Sequence, residues 1–217
     1  MPDAALAKPR LRGVSHQWAF FVSVVLGTVL VLVAPAGEAK VASAIYAFSV
    51  AGLFGASALY HRVNWTSLSA RRWMRRLDHS MIFVLIAGTY TPFALLVLHG
   101  TLATVILIVI WTGAAAGIVL KLFWIDAPKW LIAVIYVALG WVAVAAFPDM
   151  LDRLGVTPTA MVAAGGVLYT LGAVVYARRR PDPVPEVFGY HEVFHALVIA
   201  AAALQYAVIA FYVLPDA

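Results

Sequence analysis

Seven long apolar runs, separated by short polar stretches, constrain this chain more than any other feature. They cover about Trp18–Ala34, Val41–Tyr60, Leu77–Leu98, Leu102–Leu120, Trp130–Phe147, Thr159–Ala177 and Tyr190–Leu214. Each is close to the ~20 residues a helix needs to cross the hydrocarbon core of a bilayer. Backbone groups find no water in that core, so each run must satisfy its own hydrogen bonds as a helix. Only 12% of the residues are charged, against about 25% in soluble domains. A surface that poor in charge cannot face water on all sides. The expectation is an all-α membrane protein, a seven-transmembrane helix bundle. Residues 1–16 form a polar, basic arm and residues 17–217 form the bundle.

The arm, the first run and Ala34-Pro35-Ala36 together look like a secretory signal. A signal's apolar region is about 7–15 residues long. This one is longer, so a retained first span is expected. Pro92 is expected to kink span three. Gly113 and Gly117 in span four, and Gly165, Gly166 and Gly172 in span six, are the small residues that let helices approach closely.

Charge sets the orientation. With the N-terminus in the cytoplasm, thirteen of the fifteen basic residues fall in cytoplasmic segments, and only Lys40 and Arg153 lie outside. That asymmetry predicts an N-terminus inside and a C-terminus outside. It also accounts for the net charge of +5 as a topology signal, so nucleic acid is not an expected partner. The chain has no cysteine, so a metal ion here would be held by nitrogen and oxygen.

The topology places side chains by depth. His61 ends span two, Asp78 begins span three, and His191 and His195 lie in the first turns of span seven. All four fall at the cytoplasmic level. Ionisable residues within spans are costly and tend to face the bundle interior. His191 and His195 are four apart and share one helical face. Three histidines with an open position form a known catalytic zinc arrangement. Asp78 is placed to orient a water at such a site or to take its proton. Ser57, four residues before His61, is placed to hydrogen-bond that water or a developing oxyanion. His16, His79 and His99 are read as interfacial or packed side chains.

Residues 191–195 also spell His-Glu-x-x-His, in which a zinc protease uses the glutamate as general base. No further ligand follows His195 before Asp216 at the far face. An intramembrane metalloprotease is therefore the lesser of the enzymatic readings, and Glu192 is read as an interfacial neighbour.

Four segments, taken in order, resemble the motif set of the hemolysin III family, within the wider progestin and adiponectin receptor group. They are Ser57-Ala58-Leu59-Tyr60-His61, Asp78-His79-Ser80-Met81-Ile82-Phe83, Ile86-Ala87-Gly88-Thr89-Tyr90-Thr91-Pro92 and His191-Glu192-Val193-Phe194-His195. Arg12-Gly13 and Gly165-Gly166 with Tyr169 add to the likeness. The resemblance implies a zinc ion on the cytoplasmic side held by His61, His191 and His195. It makes Asp78 the partner of the zinc water, with Ser57 completing the motif. The site is similar to that of membrane hydrolases that cleave lipid amides such as ceramide. The bacterial branch of the family is named for haemolysis. A hormone-receptor role, which accompanies a long N-terminal domain in the eukaryotic receptors, is not expected.

The leading expectation is a zinc-dependent hydrolase of a membrane lipid amide or ester, multi-pass in a bacterial plasma membrane. The alternative is a membrane-perturbing or signalling protein in which zinc only staples helices two and seven.

Overall fold

A computed structural model describes residues 8–217. The first seven residues of the expected arm lie outside the described residues. Seven helical segments are long and apolar enough to cross a membrane, and there is no strand among the described residues. The helices are α1 (Val14–Val33), α2 (Glu38–Arg62), α3 (Leu68–Leu96), α4 (Gly100–Phe123), α5 (Lys129–Gly140), α6 (Phe147–Leu154), α7 (Val156–Arg178) and α8 (Tyr190–Val208). α5, a 3-10 stretch at Trp141–Ala146 and α6 together make the fifth span. A π-helical turn at Ile209–Val213 and a 3-10 turn at Leu214–Asp216 complete the seventh.

The helix boundaries differ from the apolar runs at three places. α1 starts at Val14, ahead of Trp18, so it carries His16 into the bundle. α3 starts at Leu68 rather than Leu77 because the Ser67 hydroxyl accepts the Ala70 N–H at 3.3 Å. A side-chain cap of this kind satisfies a backbone donor that the first turn leaves free. Arg71, Arg72, Arg75 and Arg76 thus lie on a helix rather than in a loop. α3 also continues through Pro92 to Leu96, with the Thr91 hydroxyl donating to the Ala87 carbonyl at 2.8 Å. The stretch 148–158, expected as a loop, is mostly helical. Pro148 sits in the first turn of α6, Asp149 is also in that turn, and Gly155 with φ +85° turns directly into α7. Proline fits there because the first helical turn has no intrahelical use for its N–H.

The core lies between α2, α3, α4, α7 and α8. Tyr46, Phe83, Ile110 and Ile209 are fully buried in it. Gly117 makes room for the Phe83 ring, since a Cβ there would overlap the ring atoms. Large apolar side chains such as Trp18, Leu32, Phe48, Phe123 and Phe211 point outward, as a lipid-facing surface requires.

The fifth span breaks in mid-membrane. At the break, the Tyr90 hydroxyl donates to the Gly140 carbonyl at 2.5 Å and accepts the Ala143 N–H at 2.6 Å. Non-helical backbone at membrane depth is tolerated only where such groups are re-satisfied by protein or face a cavity. Nearby, Trp141 Nε1 donates to the Thr170 hydroxyl at 2.9 Å and ties the break to α7.

Candidate metal centre

Each histidine of the centre is fixed by a helix end. His61 lies in the last turn of α2, and Ser57 lies one turn earlier. His191 and His195 occupy the first two turns of α8. The start of α8 is held by two carboxylates. Asp182 Oδ1 accepts the Tyr190 N–H at 2.7 Å, and Glu192 Oε2 accepts the Gly189 N–H at 2.9 Å. Acidic groups at a helix N-terminus also complement its positive dipole end.

The three rings converge. Ring centroids lie 4.4 Å apart for His191 and His195, 4.8 Å for His61 and His191, and 5.3 Å for His61 and His195. One nitrogen from each falls within 4.8 Å of the others, and all three residues are buried. His61 Nε2 and His191 Nε2 are 3.1 Å apart. Two nitrogens at ~2.0–2.1 Å from one tetrahedral ion would be separated by about 3.3 Å, so the observed edge fits a shared cation. An all-imidazole donor set suits zinc, copper, iron or nickel and disfavours calcium or magnesium. Asp78 Oδ2 lies 3.8 Å from His61 Nε2. Ser57 is beside the Asp78 carboxylate. Asp78 and Ser57 are 7% and 2% exposed, respectively.

The centre forms one end of a long cavity through the bundle. Ser57, Asp78 and His191 line it at that end, Tyr169 and Val198 at mid-depth, and Met150 toward the other. Asp78 and Ala94 both line it from α3, a span of roughly 24 Å at 1.5 Å per residue. Apart from the groups at the metal end, a few hydroxyls and the Gln205 side-chain amide, the lining is apolar.

The structure therefore brings together His61, His191, His195, Asp78 and Ser57. His79 is half-buried and borders the same cavity, but its ring is not among the three convergent donors; its backbone carbonyl accepts the Tyr136 hydroxyl at 2.8 Å. His99 contacts Arg153 at 2.9 Å, remote from the centre along the chain's fold. Glu192 is 2% exposed, and both of its oxygens are engaged, Oε1 by Arg12 Nε at 2.5 Å and Oε2 by Gly189. Both oxygens thus serve as a structural clamp between the N-terminal segment and the start of α8.

Two contributions from the N-terminal segment are not visible in sequence spacing. Arg12 reaches Glu192, and His16 stacks on His195 with centroids 3.6 Å apart and planes 9° apart. The arm is also laced to the loop before α8, where Arg10 N donates to Glu186 O at 3.0 Å and Leu11 N to Val187 O at 3.1 Å. Gly13 follows with φ +78°, and a Cβ there would lie 2.5 Å from His61 Cβ. The only sequence signal for any of this was Arg12-Gly13 itself.

A family model described as haemolysin-III related matches residues 4–206. Hemolysin-3 of Bacillus cereus is 33% identical over 193 residues, covering 87% of this chain and 84% of the relative. A hemolysin-3 homolog of Bacillus subtilis (strain 168) is 32% identical over 168 residues, 77% of this chain and 75% of the relative. The monocyte to macrophage differentiation factor of Homo sapiens is 26% identical over 170 residues, 77% of this chain and 68% of that protein.

Proposed function

The chain belongs to the haemolysin-III related family of integral membrane proteins, and from that premise we propose that it is a zinc-dependent hydrolase of a membrane lipid amide or ester. One observation carries the reading. A long apolar cavity ends at three convergent histidines, with a carboxylate and a hydroxyl beside them. Such a cavity accepts an acyl chain and delivers the carbonyl at its head to the polar end.

His61, His191 and His195 would hold the ion. When bound there, zinc supplies Lewis-acid polarisation of a carbonyl and a water acidic enough to react near neutral pH. The protein's own residues do the rest. Asp78 orients the attacking water, accepts its proton and returns it to the leaving amine or alkoxide. The Ser57 hydroxyl donates to the oxygen on which charge develops. The apolar walls exclude bulk water and align the chain, which makes the attack effectively intramolecular. The basic asymmetry of the spans supports a cytoplasmic position for the centre and a multi-pass place in a bacterial plasma membrane.

A second reading draws on the relatives' name. Three histidines joining α2 to α8 would also suit a structural ion in a protein that perturbs membranes. The hydrolase reading accounts for more, because a staple has no need of Asp78, Ser57 and a cavity beside it. The test is hydrolysis of a long-chain N-acyl sphingoid lipid by the purified, zinc-loaded protein, with His61→Ala and Asp78→Ala in parallel. Turnover that falls in both supports the mechanism. Turnover unchanged in both overturns it.

A further inference from the structure

His16 belongs to neither the ligand set nor the clamp, yet it is placed as a working group. It is 2% exposed, and neither ring nitrogen makes a well-formed hydrogen bond within the protein, although the His195 backbone lies close to the ring. One face of the ring is taken by His195, stacked at 3.6 Å and 9°. Its other close aromatic contact is with Phe54, edge-on at 5.0 Å. The residue borders the same cavity as Ser57, Asp78 and His191.

The stack excludes the simplest role. An imidazole lone pair lies in the plane of its ring, and parallel rings have no common plane. An ion held in the plane of His195 cannot also be met head-on by His16, and His16 is not among the three convergent donors. Nor is the residue an ordinary core filler. A neutral imidazole carries one donor and one acceptor, and burying both unpaired is unfavourable. A phenylalanine would fill the same space between His195 and Phe54 without that cost.

We propose that His16 is a binding residue for the polar head of the cavity's occupant. Its ring nitrogens hydrogen-bond a lipid head that offers both a donor and an acceptor, as an N-acyl amino alcohol does through its amide N–H and hydroxyl. The assignment rests on the hydrolase reading and adds to it the residue that recognises the head group. Plain esters lack the amide donor and are bound less well.

The test is equilibrium binding of radiolabelled N-oleoyl ethanolamide to the zinc-loaded full chain in detergent, with methyl oleate as the ester probe. His16→Phe keeps the stack and removes the nitrogens. His16→Gln keeps a donor and an acceptor and stands in if the phenylalanine variant fails to fold. The expected result is roughly tenfold weaker amide binding in His16→Phe, affinity largely retained in His16→Gln, and little change for the ester in either. Zinc content stays at the wild-type level throughout. Unchanged amide affinity in His16→Phe, or loss of it in His16→Gln with zinc retained, overturns the role of His16 alone. Loss of zinc from His16→Phe also overturns it, because the residue then acts through His195. Wild-type protein that binds neither probe overturns the lipid-hydrolase reading itself.

Discussion

Arg12 and Glu192 meet at 2.5 Å across 180 residues of sequence. The pair fastens the segment before α1 to the first turn of α8, one residue beyond His191 and three before His195. Glu192 is 2% exposed and also caps Gly189. The contact therefore fixes both the start of α8 and the direction in which its two histidines point.

Breaking that pair from one side leaves a buried carboxylate without its cation. Arg12→Ala is expected to cost about 3 kcal/mol, since removing one partner of a buried pair is far worse than removing both. The double variant Arg12→Ala/Glu192→Ala should recover part of the loss. Thermal unfolding of the three proteins in detergent, followed by circular dichroism, checks the order wild type, double variant, single variant.

Gly13→Ala tests the approach of α1 to His61. The substitution meets both a positive φ of +78° and a contact with His61 Cβ, and alanine is disfavoured in that region of backbone space. The His61 ring is expected to shift and Co2+ affinity to fall severalfold. Titration of the metal-free protein with Co2+, read by its visible absorption, measures this directly.

Tyr90→Phe removes the hydroxyl that bridges the break in the fifth span. The Gly140 carbonyl and Ala143 N–H are then left without that partner, at a cost of about 1–3 kcal/mol. Because the break borders the cavity at mid-depth, lipid binding should weaken with zinc content unchanged. Thermal midpoint and metal analysis on the same preparation separate the two effects.

Outside the membrane, Arg75 donates to Asp126 at 2.7 Å and holds its carboxyl below the usual value of 3.8. A depressed folded pKa stabilises above the unfolded value and loses that contribution as pH falls through the folded one. The benefit is thus present at neutral pH and fades only below about pH 3.8. Asp126 is exposed, so salt screens the pair. Asp126→Asn should leave the unfolding midpoint at pH 7 nearly unchanged, and more nearly so in high salt.

The sequence carried depth well and rotation poorly. Seven spans could be read because each apolar run matches the bilayer, and His61, Asp78, His191 and His195 because each sits beside a span end on one side of the charge count. Caps were harder. Ser67 extends α3 by a stretch rich in arginine that hydropathy assigns to a loop, and Pro148 with Gly155 turns an expected loop into α6. His16 shows the remaining gap. Its depth matched the centre, but whether it faced lipid or His195 depended on how α1 is rotated against α8. The Arg12–Glu192 contact could not be paired from the sequence, because nothing in the spacing of a chain joins residues 180 apart.

Every role assigned to the cavity depends on a metal ion held by His61, His191 and His195, and metal analysis of the purified protein tests for that ion most directly. The prediction is about one zinc per chain in wild type and in His99→Ala, and almost none in His191→Ala or His195→Ala, with all four proteins folded by circular dichroism. Wild-type protein without stoichiometric zinc, or a His191 variant that keeps its full complement, would contradict the account.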